Sequence, residues 1–156
     1  MSTPLLLDSL ASGFEALPRR EAAGLGTLRR QALDAALADG LPPSRHEAWK
    51  YTSLRALERR GFAPAVDDTA PLPGADTLEL PDGPRLVFVN GRFDAGLSKL
   101  DALPEGLRLA PLSQRLDADD PTLEPLFAPS GEGAADVFAR LNAALSVEGM
   151  VLRLPE

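Results

Sequence analysis

The chain has no cysteine. That excludes a disulfide, a thiolate nucleophile and any sulfur ligand for zinc or for an iron-sulfur cluster. It has a single histidine, His46, so the usual zinc spacings are out of reach and a metal site would have to be built from carboxylates alone. Cations are also scarce: 16 Lys and Arg stand against 23 Asp and Glu, a net charge of −7. Duplex binding is driven by lysine and arginine displacing counterions from phosphates, so nucleic acid is not an expected partner. Long apolar runs are missing too. The stretch Leu5 to Leu7 is cut off by Asp8 with no basic segment before it, so neither a signal peptide nor a membrane span is expected, and the cytoplasm is the expected compartment.

What is present is a chain of 156 residues, 44% of them hydrophobic, long and apolar enough to bury a real core. Its charge is uneven. Residues 1–62 carry nine Lys or Arg against seven Asp or Glu, while residues 63–156 carry seven against sixteen. The aromatics are few, one tryptophan, one tyrosine and six phenylalanines. Yet Trp49 and Tyr51 fall with His46 inside six positions of "LPPSRHEAWKYTSL", residues 41–54.

The periodicity predicts an α+β chain in three parts: a helical region over 1–62, a proline- and acid-rich linker over 63–84, and a mixed strand and helix region over 85–156. Leu6, Leu10, Phe14 and Leu17 step by four, four and three, one face of a helix that Pro18 ends. Leu25, Leu28, Ala32, Ala35 or Ala36, and Leu37 define a second helix. Gly40 stands at its expected left-handed cap and Pro42-Pro43 forbid continuation. A short third helix is expected from Thr52 or Ser53, both good N-caps, through Leu54 and Leu57 to Gly61.

Between Pro64 and Pro84 there are five prolines and no lysine or arginine, which favours extended, solvated backbone. Then "RLVFVNGRF" gives an apolar run, Leu86 to Val89, ended by Asn90-Gly91, a strong hairpin signal. Leu107 to Leu112 is expected to be extended. Asp120-Pro121 should cap and open a short helix through Leu123 and Leu126 that ends by Pro129. Ala134 to Leu145 carries Phe138, Leu141 and Leu145 at helical spacing, with Gly149 as terminator. Residues 150–156, "MVLRLPE", read as a strand without a visible partner.

Few residues suggest chemistry. Asp117, Asp119 and Asp120 lie close together but lack the glycine turn and terminal glutamate of a calcium loop, which leaves solvated-loop and cap roles. Gly24 and Gly26 in "AAGLGTLRR" lack the third glycine and preceding strand of a phosphate loop. Ser44 is two residues from His46, a poor geometry for a nucleophile and its base. The pairs Arg19-Arg20, Arg29-Arg30 and Arg59-Arg60 read as solvated helix faces or a docking surface.

For the aromatic cluster two readings stand. Trp49 and Tyr51 can plug a small core at the exit of a helix hairpin, with Arg45 forking onto a carboxylate such as Glu47. Alternatively Trp49, with Lys50 beside an aromatic ring, forms a partner hot spot.

Taken together, "LPPSRHEAWKYTSL", "LVFVNGRFDAGLSKL" and "VFARLNAALSVEGMVLRL" resemble the N-terminal region of the SufD family of the SUF iron-sulfur cluster assembly machinery. The family pattern of Leu-Pro, a basic residue, a glutamate and Trp-Lys-Tyr-Thr falls on Leu41, Pro42, Arg45, Glu47, Trp49, Lys50, Tyr51 and Thr52. The turn with Phe93 and Leu97-Ser98 comes next, and the Phe-x-x-Leu-Asn helix falls on Phe138, Leu141 and Asn142. Glu148-Gly149 stands where the family has Asp-Gly. The paralogous SufB lacks the Trp-Lys-Tyr-Thr arrangement.

The resemblance implies a fragment that stops where a right-handed parallel β-helix begins, which would account for the strand at residues 150–154. It implies a non-catalytic scaffold subunit whose β-helix pairs with SufB and whose C-terminal part binds SufC. It also implies that the iron-sulfur cluster belongs to the parent complex, with no cofactor held by this chain and no nucleic acid or membrane partner. The rival readings are a small hydrolase or transferase using His46, and a stand-alone adaptor using its Arg-rich helices and Trp49.

Overall fold

The four-four-three spacing of Leu6, Leu10, Phe14 and Leu17 produces α1 (Leu5–Glu15), with Leu6, Leu7 and Phe14 buried. The computed structural model describes residues 4–65, 79, 82–101, 103–128 and 136–155. These divide into two units, one of Met1–Pro64 with Arg115–Val147 and one of Ala65–Gln114 with Glu148–Glu156. The boundaries at 62 and 84 follow charge and proline content. The units follow contact instead, and so residues 115–147 group with the N-terminal helices. Most of the proline-rich stretch lies outside the described residues.

In the first unit α1 packs with α2 (Gly26–Asp39) and α6 (Val137–Leu145). Their shared core is Leu7, Phe14, Ala32, Leu33 and Ala36 with Val137, Leu141 and Ala144. The three alanines fall on the facing sides of α2 and α6. Small side chains there let two helices approach closely, and the larger Leu33 and Leu141 fill the layers between.

Gly40, at φ +67, donates its N–H to the Ala36 carbonyl at 3.0 Å and ends α2, the position expected of it. α3 (Arg55–Glu58) is shorter than the sequence predicts: its N-cap is Leu54, without a side-chain cap. Thr52 does not serve as that cap: it lies two residues before Leu54, in the preceding turn, where its N–H donates to the Trp49 carbonyl at 2.9 Å.

Asp120 caps the turn Pro121–Leu123 by accepting from the Thr122 N–H, and α5 (Glu124–Phe127) comes directly after it, as the Asp-Pro pair predicts. α6 ends at Leu145, with Ser146 extended as its C-cap. The expected terminator Gly149 comes later, because Ser146 already closes the helix with its N–H on the Asn142 carbonyl at 2.9 Å.

The second unit has two small sheets. β1 (Phe88–Val89) and β2 (Arg92–Phe93) are antiparallel, joined by Asn90 and Gly91, both at positive φ of 48 and 75, the backbone of a tight hairpin turn. The Phe88 and Phe93 rings meet edge-on at 5.8 Å. The Leu97-Ser98 pair ties the chain after β2 back to the hairpin. The Leu97 N–H reaches the Asp94 carboxylate at 2.9 Å, and the Ser98 hydroxyl accepts from the Val87 N–H at 2.9 Å.

β3 (Arg108–Pro111) pairs antiparallel with β4 (Met150–Arg153), Arg108 opposite Arg153 and Pro111 opposite Met150. The terminal strand therefore has a partner, which corrects the expectation of an orphan strand. The chain-distant β3 is not visible as its mate in the sequence, because pairing across some forty intervening residues leaves no local mark. α4 (Leu112–Asp117) begins where extended backbone was expected. The Glu148 carboxylate accepts from the Ser113 hydroxyl at 3.0 Å and from its N–H at 3.4 Å, a cap supplied from far along the chain.

Arg29, grouped by sequence with the solvated arginines, is completely buried. It precedes Ala32, Leu33 and Ala36 by three, four and seven residues and so shares their inward face. Its Nη1 reaches the Ala144 carbonyl at 3.4 Å, and its guanidinium lies over the Phe127 ring at 4.8 Å. Nε and Nη2 have no hydrogen-bond partner, and burial pushes its pKa below the ordinary value. A long apolar side chain avoids that desolvation. We expect Arg29→Met to hold or raise the urea midpoint of unfolding, whereas Leu33→Ala costs about 2–5 kcal/mol. A comparable loss in Arg29→Met would show that the ring contact and carbonyl bond outweigh the burial cost.

Candidate functional site

The segment after Gly40 is wound by its own backbone. The His46 N–H donates to the Pro43 carbonyl at 2.9 Å, Trp49 to His46 at 2.9 Å and Lys50 to Glu47 at 3.4 Å. The result is a single 3₁₀ turn, Glu47–Trp49, with Trp49 at its end. Its ring lies 5.2 Å from the Phe138 ring at 38°. Two parts of the sequence pattern about ninety residues apart, the Trp-Lys-Tyr-Thr run and the Phe-x-x-Leu-Asn helix, therefore meet at one aromatic contact.

The other residues of the pattern are placed differently. Trp49 is partly buried, but Tyr51 is 90% exposed, so only one of the two aromatics plugs the corner. The Lys50 ammonium sits 5.5 Å from the Tyr51 ring, as the cation-aromatic reading expects. Arg45 and Glu47 are both exposed, and among the described residues no carboxylate pairs with Arg45, which corrects the expected fork. Thr52 is exposed. Asn142 is exposed as well, and its side-chain oxygen accepts from the Ser146 hydroxyl at 2.9 Å. His46 is partly buried with Nδ1 unpartnered.

Phe138 and Asn142, four residues apart on α6, face an apolar groove of about 390 Å³. Leu6 and Leu10 of α1 and Leu141 and Leu145 of α6 line it, and Leu57 of α3 closes one side. Sequence reading assigns these leucines to helix faces without separating core from groove. The missed signal is that α1 and α6 each carry more apolar positions than a single core contact uses.

Three arginines outside this corner, Arg19, Arg20 and Arg30, are committed to carboxylates. Arg19 forks onto Asp117. Arg20 bonds Glu15 at 2.9 Å and Glu21 at 2.8 Å, and Arg30 bonds Glu15 at 2.6 Å. The guanidiniums of Arg30 and Arg20 also lie 4.4 and 5.2 Å from the buried Phe14 ring. Asp119 accepts from the Ala23 N–H at 2.8 Å, and Asp120 pairs with Arg115 at 3.1 Å, so the three aspartates act as caps and ion-pair partners. Among the described residues no group of three or more His, Cys, Asp or Glu is placed to hold a metal ion, and no helix is long and apolar enough to cross a membrane.

Over residues 7–156 the chain matches the family described as the SufBD protein N-terminal region. It is 41% identical over 70 residues to the iron-sulfur cluster assembly protein SufD of Escherichia coli (strain K12), a match covering 44% of this chain and 16% of that protein. It is 28% identical over 129 residues to an iron-sulfur cluster assembly SufBD family protein of Synechocystis sp. (strain ATCC 27184 / PCC 6803 / Kazusa), covering 81% of this chain and 28% of that protein. The chain belongs to the SufBD family and corresponds to its N-terminal region. It spans less than a third of the length of either relative.

Because only Trp49 enters the corner, Trp49→Ala should cost about 2–3 kcal/mol in urea unfolding, below the cost of a fully buried ring, and Tyr51→Ala less than about 0.5 kcal/mol. Equal costs would overturn the division between plug and surface ring.

Acid should weaken the surface pairs. Arg30 and then Arg20, bonded to Glu15, hold its carboxyl below the ordinary 4.5, and Arg19 holds Asp117 below the ordinary 3.8. Groups with depressed folded-state values stabilise fully above the unfolded values, and that stabilisation is lost as pH falls from there through the folded-state values. The melting temperature should therefore drop in that window. The drop should be shallower in a Glu15→Gln, Asp117→Asn double variant and at high salt, because both carboxylates are exposed.

Proposed function

We propose that this chain acts as the N-terminal part of a SufD-type scaffold subunit in iron-sulfur cluster assembly. The observation that carries the reading is the match to the SufBD N-terminal region over residues 7–156, with the Trp49 and Phe138 motif residues joined in one corner. In this reading the region does no chemistry of its own. It folds as an accessory unit in the cytoplasm, while pairing with SufB through a β-helix and binding of SufC through a C-terminal region belong to further parts of a SufD-type polypeptide. The cluster is cargo of the assembled complex. A chain with no cysteine and one histidine supplies none of the thiolate ligands such a cluster ordinarily takes.

The test is affinity co-purification. Tagged residues 1–156, and in parallel a SufD-type polypeptide carrying this region, are expressed with SufB and SufC. Retention of both partners by the longer polypeptide alone is the expected result. Retention by neither would overturn the assignment, and retention by residues 1–156 would move partner binding into this region.

A further inference from the structure

The chain has two asparagines, Asn90 and Asn142, and the fold treats them oppositely. Asn142 lies within α6, its side-chain oxygen accepting from the Ser146 hydroxyl at 2.9 Å, and the residue after it, Ala143, carries a methyl group beside a helical N–H. Asn90 stands at the tip of the β1–β2 hairpin. It and Gly91 are both exposed, and nothing lies within 4 Å of where a Gly91 side chain would begin. The strands pair through Val89 and Arg92, which leaves the Gly91 N–H outside the ladder. Among the described residues no hydrogen bond engages that N–H or the Asn90 side chain.

An electrophile, the amide carbon of Asn90, and a nucleophile, the backbone nitrogen of Gly91, are therefore adjacent, unshielded and open to water. Asn90 and Gly91 both have positive φ, 48 and 75, as in a type I′ turn. Flipping the one peptide plane between them gives a type II′ turn, with positive φ only at Asn90 and the strands still paired. That flip turns the Gly91 nitrogen toward the Asn90 amide carbon. The flipped backbone is strained at a residue with a Cβ, so the hairpin slows the encounter without preventing it.

We propose that Asn90-Gly91 is a self-modifying site that deamidates through a cyclic imide and in doing so breaks the hairpin. The deprotonated Gly91 nitrogen attacks the Asn90 amide carbon. The new C–N bond closes the imide, the bond to the side-chain nitrogen breaks, and ammonia leaves. Water then adds to one of the two imide carbonyls. Opening at the side-chain carbonyl restores the backbone with an aspartate, and Asp-Gly still suits the turn. Opening at the backbone carbonyl leaves an isoaspartate, whose main chain runs through the former side chain and is longer by a methylene. β1 and β2 form a sheet of their own, paired at Phe88 with Phe93 and Val89 with Arg92. A hairpin that small has little stability to spare, so a lengthened loop unpairs Val89 from Arg92. Water is the co-reactant, and the reaction is independent of the scaffold assignment.

The test is to incubate residues 1–156, folded and in parallel unfolded in urea, at mildly alkaline and at mildly acidic pH, and to follow two tryptic peptides by mass spectrometry. Leu86–Arg92 carries Asn90 and Leu141–Arg153 carries Asn142. We expect Leu86–Arg92 to gain the mass of an amide-to-acid exchange, faster in alkali, while Leu141–Arg153 from the folded protein stays unchanged. Folding should slow the Asn90 reaction by no more than about a hundredfold, the population cost of the strained flip. Isoaspartate, detected by enzymatic methylation of its carboxyl, should accompany faster hydrogen exchange over residues 87–94. In N90G, which keeps a turn that tolerates positive φ and has no amide to lose, exchange there should stay as slow after the same incubation as before it.

An Asn90 reaction no faster than that of Asn142 in the folded protein overturns the proposal, as does a slowing by folding of far more than a hundredfold, which would make the turn a protecting one. Isoaspartate that accumulates with no change in exchange, or equal loss of protection in N90G, overturns the break in the hairpin.

Discussion

The contact on which the first unit depends is the close approach of α2 and α6 through Ala32, Ala36 and Ala144. Everything placed at one end of α6 is positioned by it. α6, packed on α2, carries Phe138 to the Trp49 ring, and the groove lies between leucines of α1 and α6. The same approach encloses Arg29. Its guanidinium occupies space that the small alanines leave open, with one carbonyl and one ring as company. A second cation on the same interface, Arg140, is answered by Asp39 near the end of α2. The two buried arginines thus show opposite solutions, one paired and one wedged against an aromatic face.

The electrostatic design separates structural charge from available charge. Glu15 alone engages Arg20 and Arg30, and both arginines also cover Phe14, so one carboxylate organises a lid over a core ring. Asp117, Asp119 and Asp120 do the same for the turn after α4, each answering a donor of the chain's own. Charge arranged in this way contributes little to net stability at an exposed surface, but it fixes which groups face outward unmatched. Among the cations of the first unit, what is left is the stretch from Arg45 to Arg60.

Much of this is legible in the chain. The leucine spacing marks α1 and α2, Gly40 with two prolines marks the stop, and Asn90-Gly91 marks the hairpin, because each signal acts over one or two turns of backbone. Trp49 as a packed corner is legible for the same reason, since a large aromatic after a helix stop seeks the core. The pairing of β3 with β4 is not, nor is the Glu148 cap on α4. Both depend on which distant segment arrives, and neighbouring residues carry no trace of that. Arg29 reads as solvated because it is charged, although its spacing to Leu33 and Ala36 puts it on the inner face. Tyr51 reads as a second plug, but it lies beyond the 3₁₀ turn Glu47–Trp49 and is left on the surface.

The interleaving of the two units has a consequence for how the chain is made. Each unit is assembled from two separated stretches, and the second stretch of the N-terminal unit lies inside the span that β3 and β4 close. As the polypeptide emerges from a ribosome, the first sixty residues have α1 and α2 but not α6, and so expose the alanine and leucine faces that α6 will cover. The hairpin can form at once from neighbouring residues, while the β3 and β4 sheet waits for the last strand. Neither unit is finished until nearly the whole chain is available, which makes the order of synthesis a poor guide to the order of folding and places the slow step in bringing distant segments together.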